Sequence, residues 1–233
     1  MIRKLLRFLG CFAAFSLVLS ILAVVALRWL NPPLTAFMLW DRIGNGRELH
    51  YEWVPLESIS PHLRITVVAA EDQKFPNHFG FDFQSIAEAL EEDRSRTRGA
   101  STITQQVAKN LFLWSGHSYA RKLIEAWFAA LIEICWPKQR ILEIYLNIAE
   151  FGPGIYGAEA ASQAFFDKPA RRLNPYQSAL LAAVLPNPRL MSAARPSSYV
   201  HGRAWEILLL ARDLGGVKYL DSGELPRKRK LVN

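Results

Sequence analysis

Cysteine is scarce in this sequence, with two among 233 residues. Cys11 falls in an apolar run and Cys135 is isolated in a stretch with helical periodicity, so no structural disulfide is predicted. No cluster of cysteine and histidine has the spacing of a zinc site. Internal repeats and the alternating runs typical of strands are also lacking. These absences argue against a disulfide-rich scaffold, a zinc module and a repeat protein, and they favour a mostly α-helical single domain.

Charged residues are missing from residues 8–27, which read FLGCFAAFSLVLSILAVVAL. About 20 apolar residues rising ~1.5 Å each span ~30 Å, the thickness of the hydrocarbon core of a bilayer. Three basic residues precede the run, so the positive-inside rule predicts a cytoplasmic N-terminus and places the rest of the chain across the membrane. A cleaved signal peptide is the alternative, but the run is long for one and Arg28-Trp29 is a poor cleavage context. We therefore expect a retained single-pass anchor.

Acidic residues are outnumbered, 21 against 28 lysines and arginines, which gives a net charge of +7. Such a charge suits a partner that carries phosphates, and nucleic acid is the general alternative. A domain across the membrane is separated from most nucleic acid, however. Anionic lipid headgroups and lipid-linked pyrophosphates are therefore the favoured partners, and no binding of nucleic acid is expected.

Two glutamates stand in polar and basic surroundings. Glu71 opens the run EDQKFPNHFGFD, and Glu125 lies in RKLIEAW. Ser60-Pro61 predicts the start of a helix that puts Glu71 near its C-terminus, where the helix dipole disfavours negative charge. The raised proton affinity suits a general base, which His78 could orient. Exposed acids at a helix end, and a histidine with a structural role, are the alternatives.

The run RGASTITQQVAKN between the glutamates predicts a second helix. Thr102 and Gln105 fit a capping box, so the helix begins near Ser101. A helix N-terminus that follows a glycine-bounded turn is suited to binding an anion. An ordinary capped helix with a polar face is the alternative. The residues that could contact an anion are Ser101, Gln105 and Gln106 as neutral donors, and Lys109 and Arg98 as cations.

Residues 119–136 predict a third helix with a broad apolar stripe, formed by Leu123, Ile124, Trp127, Phe128, Leu131, Ile132 and Cys135. Arg121, Lys122 and Glu125 lie off this stripe and within reach of one another. Taken alone, they indicate an exposed ion pair of small energetic weight.

Further helical patterns occupy most of the remaining chain, at residues 83–92, 141–149, 158–166, 175–185 and 199–214. Residues 31–57 have mixed composition with turn signals, and we interpret them as a connector with a short extended piece.

Four runs occur in a fixed order: EDQKFPNHFGFD, GASTITQQVAKN, RKLIEAW and KQRILEIYLNIAEFG. Together they resemble the motif set of the peptidoglycan glycosyltransferases, which polymerise lipid II into glycan strands. With the later runs, the resemblance covers roughly residues 54–196, and its motifs are highly specific. It implies a lysozyme-like, mostly α-helical domain on a single N-terminal transmembrane helix. The sequence contains no S-x-x-K or K-T-G motif, so it resembles the monofunctional, membrane-anchored members without transpeptidase activity.

On this basis we divide the chain into five parts: a cytoplasmic N-terminus at 1–7, a transmembrane anchor at 8–30, a juxtamembrane connector at 31–53, the glycosyltransferase domain at 54–215 and a basic C-terminal tail at 216–233.

The resemblance also implies roles for the candidate residues. Glu71 would be the catalytic base that deprotonates the acceptor 4-hydroxyl, in an inverting reaction that releases undecaprenyl pyrophosphate. Glu125 matches the second essential glutamate, which orients cations or assists the pyrophosphate. The substrate would be bound by Ser101, Gln105, Gln106, Lys109, Asn110, Arg121 and Lys122, with Arg98 as a weaker candidate. Glu143 and Asn147 would be architectural.

Two positions depart from the family's pattern. Ala100 replaces a common glycine, and His117 stands where relatives often carry arginine, so His117 is not assigned to the site. No protein metal site and no required cofactor are expected, although Mg²⁺ or Mn²⁺ at the pyrophosphate is an open alternative.

The implied setting is a bacterial inner membrane, with the catalytic domain in the periplasm. The implied partners are lipid II, the growing glycan strand and the bilayer, together with other cell-wall synthases and division proteins. Two other functions compete: a lysozyme-like hydrolase that cleaves the wall, and a non-catalytic scaffold. The cations and amides at residues 101–122 argue against the hydrolase, and the presence of both glutamates argues against the scaffold.

Overall fold

The computed structural model describes residues 2–82, 101–116 and 118–222. The helix expected at 83–92, the candidates Arg98 and His117, and most of the basic tail lie outside the described residues. The α-helices of nine or more residues are α1 (Ile2–Leu27), α2 (Ala36–Gly44), α3 (Pro61–Glu71), α4 (Ile103–Phe112), α5 (Tyr119–Cys135), α6 (Lys138–Ile148), α7 (Ala158–Phe166), α8 (Pro175–Val184) and α9 (Ser198–Asp213). The expected mostly α-helical class is confirmed.

Local signals in the sequence start the two helices that carry most of the polar candidates. The side chain of Ser60 accepts a hydrogen bond from the backbone N–H of His62, and Pro61 is the first residue of α3. Thr102 and Gln105 form the expected capping box at the start of α4. Each cap satisfies a backbone N–H that has no partner within its helix.

Two helix groups build the domain. In one, α3 packs against α8 and α9, and in the other, α4 packs against α5 and α6. The largest fully buried side chains include Tyr145, Tyr156, Phe75 and Phe151. The polar end of α3 meets the N-terminal half of α4 where the two groups join, which brings Glu71 close to Gln106.

The domain also contains three short strands, of which the sequence indicated only an extended piece in the connector. β1 (His50–Tyr51) pairs in parallel with β3 (Ile155–Tyr156), which pairs antiparallel with β2 (Glu150–Gly152). Strands of two or three residues are too short to show an alternating pattern, so the sequence does not reveal them. The connector contains β1, which agrees with the short extended piece expected there.

The helix α2 in the connector was also missed. Thr35 caps it by accepting a hydrogen bond from the N–H of Met38, and Met38 and Asp41 are buried. Asp41 pairs with Arg47 and Arg189 and accepts a hydrogen bond from Tyr156. These long-range contacts fix α2 against the domain, where it packs on α4.

The apolar stripe of α5 is buried only towards its C-terminal end, at Leu131 and Ile132, whereas its N-terminal part is exposed. An amphipathic helix in a soluble protein buries such a stripe, yet Leu123 is 74% exposed and Trp127 is also exposed. The buried residues of α5 include Arg121 and Glu125. Part of the stripe lies beside α1, where Trp127 Nε1 donates a hydrogen bond to Ser20 Oγ.

Helix α1 is the one helix among the described residues that is long and apolar enough to cross a membrane. Most of its side chains are exposed outside the last two turns. Its length and composition fit a single-pass anchor, as the sequence predicted.

Candidate active site

Glu71 is the last residue of α3, and its carboxylate faces α4. Gln106 Nε2 donates a hydrogen bond to Glu71 Oε2 over 2.8 Å. Burial raises the pKa of Glu71, while the hydrogen bond from Gln106 and the charge of Lys109 oppose that rise. A partly accessible carboxylate with an increased proton affinity has the property required of a general base.

Tyr145 extends this hydrogen-bonded chain into the core. Its hydroxyl donates to Gln106 Oε1 over 3.1 Å, so the amide of Gln106 is oriented with its nitrogen towards Glu71. Burial raises the pKa of Tyr145 well above its ordinary value, which keeps the hydroxyl protonated as a donor. The sequence placed Tyr145 only on an apolar helical face. The sequence feature that could have identified Tyr145 as a site residue was its position within the EIYLN segment of the fourth run.

Asp72 joins the end of α3 to the start of α4. Its carboxylate accepts hydrogen bonds from the N–H of Ile103 at 2.9 Å and contacts His78 Nε2 at 2.8 Å. His78 was considered as a residue that orients Glu71, but its contact is with the neighbouring Asp72. The two residues therefore fix the helix junction that holds Glu71 opposite Gln106.

Glu125 is buried, with 3% of its surface exposed, so it does not form the exposed ion pair that its spacing suggested. Arg121 Nη1 lies 3.3 Å from one carboxylate oxygen, and Lys122 Nζ lies 2.5 Å from the other. Arg121 is buried as well, and its Nε has no hydrogen-bond partner among the described residues. A buried guanidinium with an unused donor is a suitable contact for an anionic ligand.

Lys109 interacts electrostatically with both glutamates. Burial lowers its pKa, while Glu125 and Glu71 favour its charged form. From α2, the ring of Phe37 lies 5.7 Å from the ammonium group. Lys109 thus connects the candidate base to the group formed by Glu125, Arg121 and Lys122.

Comparison with known proteins identifies the family. Residues 39–211 match the family described as Transglycosylase. The chain belongs to the transglycosylase family. It is 53% identical over 211 residues to the biosynthetic peptidoglycan transglycosylase of Xanthomonas campestris pv. campestris (strain B100), an alignment covering 87% of this chain and 86% of that protein.

Two further relatives carry the same name. The protein from Stutzerimonas stutzeri (strain A1501) is 51% identical over 227 residues, which cover 94% of each chain. The protein from Pseudomonas putida (strain GB-1) is 50% identical over 235 residues, which cover 98% of each chain. These matches confirm the expected family and the expected enzyme class, a glycosyltransferase.

The remaining candidates of this transglycosylase occupy different positions around α4. Ser101 is partly buried just before the helix, and Asn110 is partly buried near its end. The side chain of Gln105 is buried in the capping box, where its Oε1 accepts from the N–H of Thr102 at 2.9 Å. Substrate contact by these three residues stays a prediction, as it does for Arg98.

The architectural interpretation of the fourth run agrees with its contacts. Asn147 accepts from the N–H of Val54 and donates to its carbonyl, both at 2.9 Å. Glu143 pairs with Arg140 at 2.8 Å. Both side chains therefore bond within the transglycosylase domain.

Proposed function

We propose that this transglycosylase is a peptidoglycan glycosyltransferase that polymerises lipid II into β-1,4-linked glycan strands. The observation that carries the proposal is the placement of Lys109 between the candidate base Glu71 and the buried Glu125, both of which favour its charged form. A base and a set of cations suit a reaction in which a sugar hydroxyl displaces a diphosphate. The printed names of its relatives supply peptidoglycan as the substrate class.

Glu71 acts as the base in this reaction. Its carboxylate removes the proton from the 4-hydroxyl of the acceptor N-acetylglucosamine as that oxygen attacks C1 of the donor N-acetylmuramic acid. The new C1–O4 bond forms as the C1–O bond to the diphosphate breaks, and the electron pair leaves with undecaprenyl pyrophosphate. Attack on the face opposite the leaving group converts the α-linked donor into a β-linkage, so the reaction inverts configuration.

The leaving diphosphate requires charge stabilisation. Positive charge at the diphosphate comes from Lys109, Arg121 and Lys122. The Nε–H of Arg121 has no hydrogen-bond partner among the described residues and can therefore donate to the diphosphate. Glu125 orients Arg121 and Lys122 through its two carboxylate oxygens. Ser101, Gln105, Gln106 and Asn110 line the donor side, and Arg98 adds positive charge.

Protein cations alone, or protein cations with Mg²⁺ or Mn²⁺, are the two alternatives at the diphosphate. Among the described residues, no group of three or more histidine, cysteine, aspartate or glutamate side chains could hold a metal ion. A metal bridging the diphosphate itself needs few protein ligands, so activity with EDTA and with added Mg²⁺ distinguishes the alternatives.

The exposed apolar residues of α5 support a position of the domain partly within the outer leaflet. Seven residues separate Ser20 from the end of α1, so Trp127 beside Ser20 lies about 10 Å below the end of that helix. The exposed Leu123 and Ile134 then contact lipid rather than water. In the neighbouring segment 112–114, Trp114 is exposed and available for contact with lipid, whereas Phe112 stacks on Phe128 and Leu113 is buried.

This arrangement supports an inner-membrane enzyme with a cytoplasmic N-terminus and a periplasmic domain. Both the donor and the growing strand are lipid-linked, so a tethered enzyme meets them at a raised effective concentration. Other cell-wall synthases and division proteins are proposed partners, and lack of an acylation motif supports the absence of transpeptidase activity.

The proposal is tested by incubating the full-length protein with fluorescent lipid II in detergent and separating the products by size. We expect long glycan, release of undecaprenyl pyrophosphate and a β-linkage by NMR. A hydrolase would instead shorten preformed glycan, and a scaffold would leave both substrates unchanged, so either result would reject the proposal.

A further inference from the structure

Most hydrogen bonds of the Arg140 side chain on α6 are made to the end of the transmembrane helix α1 and to the residues that follow it. Its Nε and Nη2 donate to the carbonyl of Leu27 at 3.2 and 3.0 Å, and Nη2 also donates to the carbonyl of Leu30 at 2.7 Å. Its Nη1 donates to Asn31 at 3.0 Å and to Glu143 at 2.8 Å. Only a tenth of the side chain is exposed, so these hydrogen bonds are largely shielded from water.

These bonds satisfy groups that a helix end leaves without partners. The last carbonyls of a helix have no intrahelical donor and carry the negative end of the helix dipole. The planar guanidinium of Arg140 donates two hydrogen bonds to the carbonyl of Leu27 and one to the carbonyl of Leu30 just beyond the helix, in a fixed fork geometry that an ammonium group lacks. The ring of Trp53 lies 5.3 Å from the guanidinium carbon and covers it from the connector.

Arg140 belongs to a row of contacts along the last turns of α1. Trp127 Nε1 donates to Ser20, Trp136 Nε1 donates to the carbonyl of Val24 at 2.8 Å, and Arg28 donates to the carbonyl of Cys135 at 2.6 Å. The C-terminal end of α1 is therefore attached to α5 and α6 at four positions along the chain: Ser20, Val24, Leu27 and Arg28. Its direction relative to the domain is set by these contacts.

The same helix α6 also reaches the candidate base. Tyr145, five residues after Arg140, bonds to Gln106, which bonds to Glu71. One short helix therefore contacts the anchor at its first turn and the chain leading to the base at its third turn.

We propose that Arg140 is a positioning residue that fixes the angle between the transmembrane helix and the catalytic domain, so that the site faces the bilayer surface where lipid-linked substrate lies. The inference rests on the proposed function, because it assumes a substrate held in the membrane. Without Arg140, the domain still folds and its site is intact, but the domain pivots about the anchor and its site spends less time at the surface.

The test compares the wild type with Arg140→Gln and Arg140→Lys, as full-length protein, in detergent micelles and in proteoliposomes that contain lipid II. The matched control is Arg64→Gln, because Arg64 also donates two hydrogen bonds to one backbone carbonyl, that of Ile59. We expect Arg140→Gln to raise KM about tenfold in proteoliposomes, with kcat and the rates in micelles within about twofold of wild type. Arg140→Lys should recover part of the loss, and Arg64→Gln should show no difference between the two media.

A second readout does not depend on activity. Spin labels at positions 9 on α1 and 206 on α9, with Cys11 and Cys135 replaced by alanine, report the anchor-to-domain distance in liposomes. We expect a narrow distribution in the wild type and Arg64→Gln, and a broad one in Arg140→Gln.

The outcomes distinguish a failure of the positioning role of Arg140 from a failure of the proposed function. An equal loss of activity in both media with an unchanged distance distribution would overturn the positioning role, as would wild-type behaviour of Arg140→Gln in every readout. Failure of the wild type to polymerise lipid II in micelles would reject the proposed function, while the distance distributions would still report on the anchor.

Discussion

Gln106 holds Glu71 through one hydrogen bond of 2.8 Å from its Nε2, while its Oε1 accepts from Tyr145. The amide is thereby fixed in the orientation that donates to the carboxylate. Gln106 lowers the pKa of Glu71 against the stronger effect of burial. The balance between burial and this hydrogen bond sets the pH at which the base becomes ionised.

Replacing Gln106 should therefore change the pH dependence of the reaction. In Gln106→Leu the carboxylate loses a donor to its charged form, so the pKa of Glu71 increases and the acidic limb of the kcat profile moves to higher pH. We expect a loss of about tenfold at the plateau, because the base is also less well oriented. Tyr145→Phe should shift the limb less, and an unshifted limb in Gln106→Leu would contradict the assignment of Glu71 as its origin.

The pH dependence of the free energy of unfolding should also reveal the raised pKa of Glu71. Burial raises the pKa of Glu71 above its ordinary value of 4.5, so the folded state binds this proton more readily than the unfolded state. The free energy of unfolding therefore falls as pH rises from the unfolded pKa through the folded one. Urea unfolding should show Glu71→Gln more stable than wild type at pH 8, with the difference shrinking below pH ~4.5. A constant difference across this range would contradict a raised pKa.

Helix starts were predictable because their signals are local. Ser60-Pro61 and the Thr102/Gln105 pair each lie within four residues of the N–H groups they satisfy, so spacing alone identified α3 and α4. Helix α2 also has a local cap, at Thr35, but it was missed, and the contacts that bury its Asp41 include Arg189, 148 residues away in the chain. The strands were missed because two or three residues carry no periodicity.

Exposure of the N-terminal part of the α5 stripe shows a different limit. The stripe was read correctly from the sequence, but how much of it is buried depends on α1 beside it and on the charged residues of the site. Both glutamates and Gln106 were selected as candidates from their motifs, whereas Tyr145 was not selected because it lies in an apolar pattern. The contact between Phe37 and Lys109 joins two helices that are separated in sequence, so no local pattern indicates it.

Lys109 should be the cation whose loss costs most, because it interacts with both glutamates. Lys109→Met should lower kcat/KM about 100-fold, as expected for removal of one stabilising charge from a developing anion. Lys109→Arg should retain part of the activity, since the charge remains. Lys168→Met is the matched control, because Lys168 bonds to Gln177 and should leave the rate within about twofold. Equal losses in the two methionine variants would remove Lys109 from the site.

The exposed apolar residues Leu123 and Ile134 of α5 predict contact with lipid. Polarity-sensitive fluorophores attached through cysteine at positions 123 and 134, in a background with Cys11 and Cys135 replaced by alanine, should emit at shorter wavelength in liposomes than the same label at position 206, which is exposed on α9. Identical spectra at all three positions would place residues 123 and 134 in water.

The most direct test of the central claim is the initial rate of glycan synthesis from fluorescent lipid II by wild type, Glu71→Gln, Glu125→Gln and the control Glu57→Gln. Glu57 is exposed, so its loss should leave the rate unchanged. We expect Glu71→Gln to fall by about 10³-fold because the base is lost, and Glu125→Gln to fall because the cations lose their orientation. A wild-type rate in Glu71→Gln would contradict the account.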